Sequence, residues 1–141
     1  MIVDARALIR RHEGERSKPY TDTVGKITIG IGRNLTDKGL TSTEIEMLFE
    51  NDFREAAQRL SEIYPPWIGL DENRRTVLLN MSFNMGYRLR SFAKMWKAIR
   101  VKDFKRAATE MLDSQWAKQV GERSAELARL MRMGNGYRPP A

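Results

Sequence analysis

Glu13, Asp22 and Thr28 bring two carboxylates and a hydroxyl into one short stretch, HEGERSKPYTDTVGKITIGIG, from His12 to Gly32. Hydrolysis of a glycosidic bond needs a proton donor for the leaving oxygen. It also needs a second group that directs water or stabilises positive charge on the sugar. Two carboxylates in unlike surroundings can divide that work, one protonated and one ionised. Glu13 is the one placed to hold its proton, because the negative end of a helix dipole disfavours charge there. Asp22, at a hairpin edge, is placed to stay ionised, and Thr28 across the hairpin could share a water with it. Two carboxylates alone are a weak signal; the surrounding Tyr20, Gly25, Gly30 and Gly32 make the pattern specific.

The elements that must hold these groups can be read from local pattern. Asp4 suits the cap of a first helix, since its carboxylate can accept the free N–H groups of the first turn. Ala5, Leu8, Ile9 and His12 fall at helical spacing, and Gly14 is a natural stop. From Lys18 to Arg33 the period changes to two, with a Gly-containing turn at Thr23–Lys26. The run Ile27–Gly32 alternates, so Thr28, Gly30 and Gly32 share the face opposite Ile27, Ile29 and Ile31. Glycine on a strand often marks a place that a ligand approaches, so Gly30 and Gly32 are expected to leave a floor for substrate.

Asn34 to Leu40 is expected to be loop, with room for one short third strand. Thr41-Ser42-Thr43-Glu44 is a capping box for a helix ending near Ile63, before Pro65-Pro66. Its apolar side is Ile45, Leu48, Phe49, Phe53, Ala56, Leu60 and Ile63. Asp52 lies on or beside that stripe and needs a cationic partner if buried; Arg33 is the expected one. Short helices follow over 71–85, 91–99, 102–112, 114–120 and 122–133, and a Gly- and Pro-rich tail from Asn135 is expected to lie loosely on the surface. The fold class is therefore α+β and predominantly helical, one domain over 1–141. Its parts are a small β-hairpin lobe (about 14–40), a connecting helix (about 41–63), and a helical lobe (about 64–134) that also takes in the first helix.

Composition narrows the function classes. The chain has 141 residues, no cysteine, 41% hydrophobic residues and a net charge of +7. Wholesale disorder, a disulfide framework and thiol chemistry are disfavoured. No apolar run suits a membrane span, and Met1 to Arg11 lacks the apolar core and cleavage site of a signal peptide. One histidine and no cysteine leave only carboxylate-rich options for a metal, so neither a metal nor a cofactor is expected. The positive charge favours a polyanionic partner, against simple solubility.

Glu13-Gly14-x5-Tyr20-x-Asp22-x2-Gly25-x2-Thr28-Ile29-Gly30-x-Gly32 resembles the active-site signature of the phage-type lysozymes, endolysins related to the T-even phage lysozymes in glycoside hydrolase family 24. The resemblance extends to Leu48-Phe49-x2-Asp52, Arg74-Arg75, Asn80-Met81-x-Phe83-x-Met85-Gly86, Trp116 and Arg123. It implies a lysozyme-like two-lobed fold and a muramidase that hydrolyses the bond between N-acetylmuramic acid and N-acetylglucosamine in peptidoglycan. By that likeness Glu13 is the general acid, Asp22 with Thr28 positions water, and the anomeric centre is inverted. Gly30, Gly32, Phe83 and Asn84 would contact substrate, and Arg123 would pair with the catalytic glutamate. Where the family often has histidine this chain has Arg33, and the segment before the connecting helix is shorter than in the T-even enzymes. The likeness also implies a monomer made in the host cytoplasm and released to the wall at lysis through a phage holin, with no nucleic acid partner.

Bland roles stand beside these. His12 is expected to pack or face solvent, because adjacent helix residues point about 100° apart and the carboxylates already fill the acid and base roles. Trp96 and Trp116 are expected in the core, with Trp67 open between core and sugar stacking. Phe83 and Asn84 are balanced between substrate contact and packing. The stretch Arg88 to Arg106 holds eight basic residues and one acidic residue, either a solvated face or a surface weakly attracted to wall or anionic membrane. Two other functions fit the sequence: a lytic transglycosylase, which needs the acid but no water-directing carboxylate, and a non-enzymatic basic module binding wall or nucleic acid.

Overall fold

A computed structural model describes residues 1–138; the last part of the tail expected from Asn135, residues 139–141, lies outside the described residues. Backbone contacts divide the chain into two units, Met1–Phe49 and Glu50–Ala141. The fold class is α+β and predominantly helical, as expected.

The first unit begins with α1 (Ala5–Glu13). Asp4 caps it by accepting the Arg6 N–H at 2.9 Å, and Gly14 ends it at φ 76°, donating its N–H to the Arg10 carbonyl at 2.9 Å. Three antiparallel strands follow in the order β1 (Arg16–Thr21), β2 (Ile27–Gly30) and β3 (Arg33–Asn34). The register pairs Tyr20 with Thr28 and Thr28 with Asn34, with an irregularity between Arg16 and Tyr20. Pro19 falls in that irregular part of β1, where a residue without an N–H costs no ladder bond.

Two expectations about the hairpin need correction. The second strand does not continue to Gly32: Gly30 and Gly32 have φ +68° and +73° and turn the chain into β3. The Thr28 face is also not the open one, since Thr28 is 4% exposed and Ile27 50%.

The capping box forms as expected. Glu44 donates its N–H to Thr41 Oγ1 at 3.2 Å and accepts the Thr41 N–H at 2.8 Å, and α2 runs over Ser42–Ile63. Of the predicted apolar stripe, Ala56 and Leu60 are buried and Ile63 packs partly against the core, while Ile45, Leu48, Phe49 and Phe53 are not buried. The reason is that the main core belongs to the second unit and takes in only the last turns of α2.

The second unit continues through a 3-10 turn (Pro65–Gly69), α3 (Glu72–Met85), a second 3-10 turn (Gly86–Ser91), α4 (Ala93–Arg100), α5 (Phe104–Leu112), α6 (Gln115–Val120) and α7 (Glu122–Met133). Val77, Leu78, Met81, Leu89, Met95, Ile99, Met111 and Met131 form its solvent-excluded centre. Small residues, Ala107 and Ala108 on α5 and Ala128 on α7, let those helices pack closely. Ser82 on α3 is fully buried and donates to the Ala56 carbonyl of α2 at 2.7 Å, so its burial leaves no unmet hydroxyl.

Arg74 closes the far end. It donates to the Met131 and Arg132 carbonyls at 2.7 and 2.8 Å, pairs with Asp71 at 3.1 Å, and lies 3.7 Å over the Phe104 ring. It thereby satisfies carbonyls at the C-terminal end of α7 that have no partner within the helix. Asn135 is tethered too, its side chain accepting the Asn73 N–H at 3.1 Å, so the tail is held at its start.

Candidate active site

Within the first unit Glu13, Asp22 and Thr28 lie on or near β2. Glu13 is the last residue of α1, and its carboxyl lies against Gly32 beyond the far end of β2. A Cβ built on Gly32 would stand 2.6 Å from Glu13 Oε2 and 2.9 Å from its carboxyl carbon. The absence of a side chain at Gly32 therefore leaves room for the Glu13 carboxyl. Nothing lies within 4 Å of a Cβ added at Gly30.

Asp22 stands at the other end of β2, in the β1–β2 turn. Its Oδ1 accepts the Val24 N–H at 3.0 Å and the Lys26 N–H at 2.8 Å, which fixes the carboxylate plane. Oδ2 has no hydrogen-bond partner among the described residues. The Asp22 N–H donates to the Lys26 carbonyl at 2.8 Å, and the Thr28 hydroxyl donates to that same carbonyl at 3.2 Å. Thr28 is directly opposite Tyr20 rather than Asp22, so Asp22 and Thr28 are diagonal neighbours across the ladder. The peptide group of Lys26 links them. Sequence reasoning missed this link; the signal was the four-residue spacing from Asp22 to Lys26 around Gly25.

The Arg33 fork goes to Glu44, not to Asp52. Arg33 Nη1 and Nη2 lie 2.7 and 2.6 Å from the two Glu44 oxygens, and Nη1 also donates to the Gly39 carbonyl at 3.2 Å. The side-chain bonds from Arg33, then the Thr41 cap bonds, lower the Glu44 pKa to about 2. The hydrogen bond to Glu44 raises that of Arg33. Glu44 wins because the capping box already holds it in place, a short loop away from β3. Asp52 is exposed, as is His12.

In the second unit, Trp67, Trp96 and Trp116 are all buried, and each indole N–H is satisfied: by Ser61 Oγ at 2.9 Å, the Leu89 carbonyl at 2.9 Å and Asn84 Oδ1 at 2.8 Å. Asn84 thus orients Trp116, while Phe83, next to it on α3, is 42% exposed. Arg123, expected to pair with the catalytic glutamate, donates from Nε and Nη2 to Asn80 Oδ1 at 3.0 and 2.6 Å. A cavity of about 420 Å³ has Met85, Phe92, Met95 and Trp116 among its lining, with Arg88, Lys94, Glu110 and Asp113. Its lining includes neither Glu13 nor Asp22.

The family model described as phage lysozyme matches residues 10–132. The probable T4-type lysozyme 2 of Dictyostelium discoideum is 31% identical, over 95% of this chain and 96% of its own length. The endolysin of Salmonella phage P22 is 27% identical over 74% of this chain and 75% of its own. The pre-baseplate central spike protein Gp5 of Enterobacteria phage T4 is 29% identical over 91% of this chain, which spans 27% of that protein.

Proposed function

This chain belongs to the phage lysozyme family and is a lysozyme, and from that premise we propose that it is an inverting muramidase acting on peptidoglycan with Glu13 as acid and Asp22 with Thr28 directing water. The observation that carries the reading is the placement of Glu13 beside Gly32 at one end of β2 and of the Asp22–Lys26–Thr28 cluster at the other.

Glu13 gives its proton to the glycosidic oxygen as the bond to the anomeric carbon breaks. A water on the opposite face attacks that carbon and passes its proton to the Asp22 carboxylate, whose Oδ1 is already held by the turn. With the Thr28 proton engaged by the Lys26 carbonyl, the Thr28 oxygen is left as an acceptor for the same water. Inversion, as the family resemblance implies, asks for room for that water between the two carboxyl groups. Gly30 serves as a clear patch for a sugar ring.

The endolysin relatives extend the proposal to host lysis. The enzyme then reaches the wall once a holin has opened the inner membrane. No helix among the described residues is long and apolar enough to cross a membrane. Purified Gram-negative peptidoglycan, digested and read by mass spectrometry, tests the chemistry. Reducing ends are expected, with turnover lost in Glu13→Gln at an unchanged melting temperature. Products ending in 1,6-anhydro rings would identify a transglycosylase instead.

A further inference from the structure

The net charge of the chain is confined to one place. Residues 88–106 hold eight basic residues and one acidic residue, a net of +7, and the rest of the chain is balanced at 17 basic and 17 acidic residues. All eight cations are exposed: Arg88, Arg90, Lys94, Lys97, Arg100, Lys102, Lys105 and Arg106. Of these eight, only Arg106 forms an ion pair among the described residues, with Glu110. The single acid, Asp103, caps α5 by accepting the Arg106 N–H at 3.1 Å.

The arrangement is ordered. Lys94, Lys97 and Arg100 recur every three residues along the outer side of α4, whose other side, with Met95, Trp96, Ala98 and Ile99, is in the core. The stripe ends at a tight corner closed by bonds from the Lys102 N–H to the Ile99 carbonyl and from the Asp103 N–H to the Ala98 carbonyl, both 2.9 Å. Lys102 there has φ 60°, the one non-glycine residue with positive φ among the described residues. A corner that glycine would make at less cost is built with lysine, and an outlier of this kind points towards use of the side chain. Val101 stands at the same corner, 73% exposed, between Arg100 and Lys102.

We propose that this ridge docks the enzyme on an anionic lipid bilayer, with the cations at the headgroups and Val101 entering the interface. An aliphatic tip ringed by long cationic side chains fits a headgroup layer, where charge is met by phosphates and a small apolar group leaves water. Nucleic acid fits less well, because the nearby Tyr87 is engaged by Arg59 and Arg90 over its ring and donates to Glu62, leaving no free face for a base. Helix insertion is excluded, since the apolar side of α4 is core.

The test is flotation of the full chain with vesicles of phosphatidylcholine alone and of phosphatidylcholine mixed with phosphatidylglycerol. Binding is expected only to the mixed vesicles, falling as salt rises. Lys97→Glu/Arg100→Glu should lower it at least tenfold and the neutral Lys97→Gln/Arg100→Gln by less, while Val101→Ser should weaken the part that survives high salt. Unchanged melting temperature and unchanged clearing of isolated, lipid-free cell walls separate this surface from the catalytic reading, on which it does not depend. Equal binding to neutral vesicles, indifference to the charge reversal, or displacement by duplex DNA at equal charge concentration would overturn it.

Discussion

Replacing Gly32 by alanine is the sharpest probe of the site. Two separable costs follow from the geometry. The first is backbone strain: Gly32 has φ +73°, and a left-handed alanine costs about 1–2 kcal/mol. Stiffening the unfolded chain returns about 0.4–1 kcal/mol, so the net destabilisation is about 1 kcal/mol. For a chain of this length that lowers the melting temperature by about 4 °C. The second cost falls on chemistry. The new Cβ would stand 2.6 Å from Glu13 Oε2, where ordinary contact begins at 3.4 Å. The carboxyl is the flexible end of its side chain, so it moves by about 0.8 Å at little cost in stability. A misplacement of about 1 Å in a reacting group costs about 100-fold in rate, or about 2.7 kcal/mol of barrier.

Gly39→Ala is the control, because Gly39 has φ +65° and open space around its added Cβ. Both variants should melt about 4 °C below the parent, and only Gly32→Ala should lose about 100-fold in kcat on isolated cell walls. Equal activity losses in the two, or a Gly32→Ala enzyme within about threefold of the parent, would refute the idea that Gly32 seats the Glu13 carboxyl.

Asp22→Asn keeps an acceptor for the Val24 and Lys26 N–H groups, so melting should change by less than about 2 °C while activity falls at least about 100-fold. Glu44→Gln should lower the melting temperature near neutral pH, whereas Asp52→Asn should leave it unchanged, because Arg33 pairs with Glu44. The Glu44 pKa is lowered from 4.5 to about 2, so its stabilising effect is present above pH 4.5 and lost as pH falls towards 2. Melting curves of parent and Glu44→Gln should therefore converge across that window, and a constant gap would count against the pair. Arg74→Ala removes the bonds to the Met131 and Arg132 carbonyls and strands Asp71; about 3 kcal/mol of destabilisation in urea is expected.

Local chemistry was legible in advance, and long-range partner choice was not. Asp4, Gly14 and the Thr41–Glu44 box start and stop helices where predicted, because caps act over two to four residues and depend only on side chains within that span. The hairpin and its turn follow from the change of period around Gly25. The helical segments appear with ends shifted by a residue or two, since tertiary contacts trim the last turns. Site residue types were visible for the same local reason: Glu13 ends a helix, and Asp22 sits in a turn.

What the sequence alone left open was which group each of these residues meets. Arg33 meets Glu44 rather than the expected Asp52, because a helix cap already holds that carboxylate in place. Asn84 and Trp116 are 32 positions apart and Arg123 and Asn80 are 43 apart, so no periodicity announces either bond. Gly32 gave the same signal as Gly30, a bare position in an alternating run, yet one accommodates the Glu13 carboxyl and the other faces open space. Spacing along a chain fixes the direction of a side chain within its own element. Only the packing of elements decides what stands opposite it.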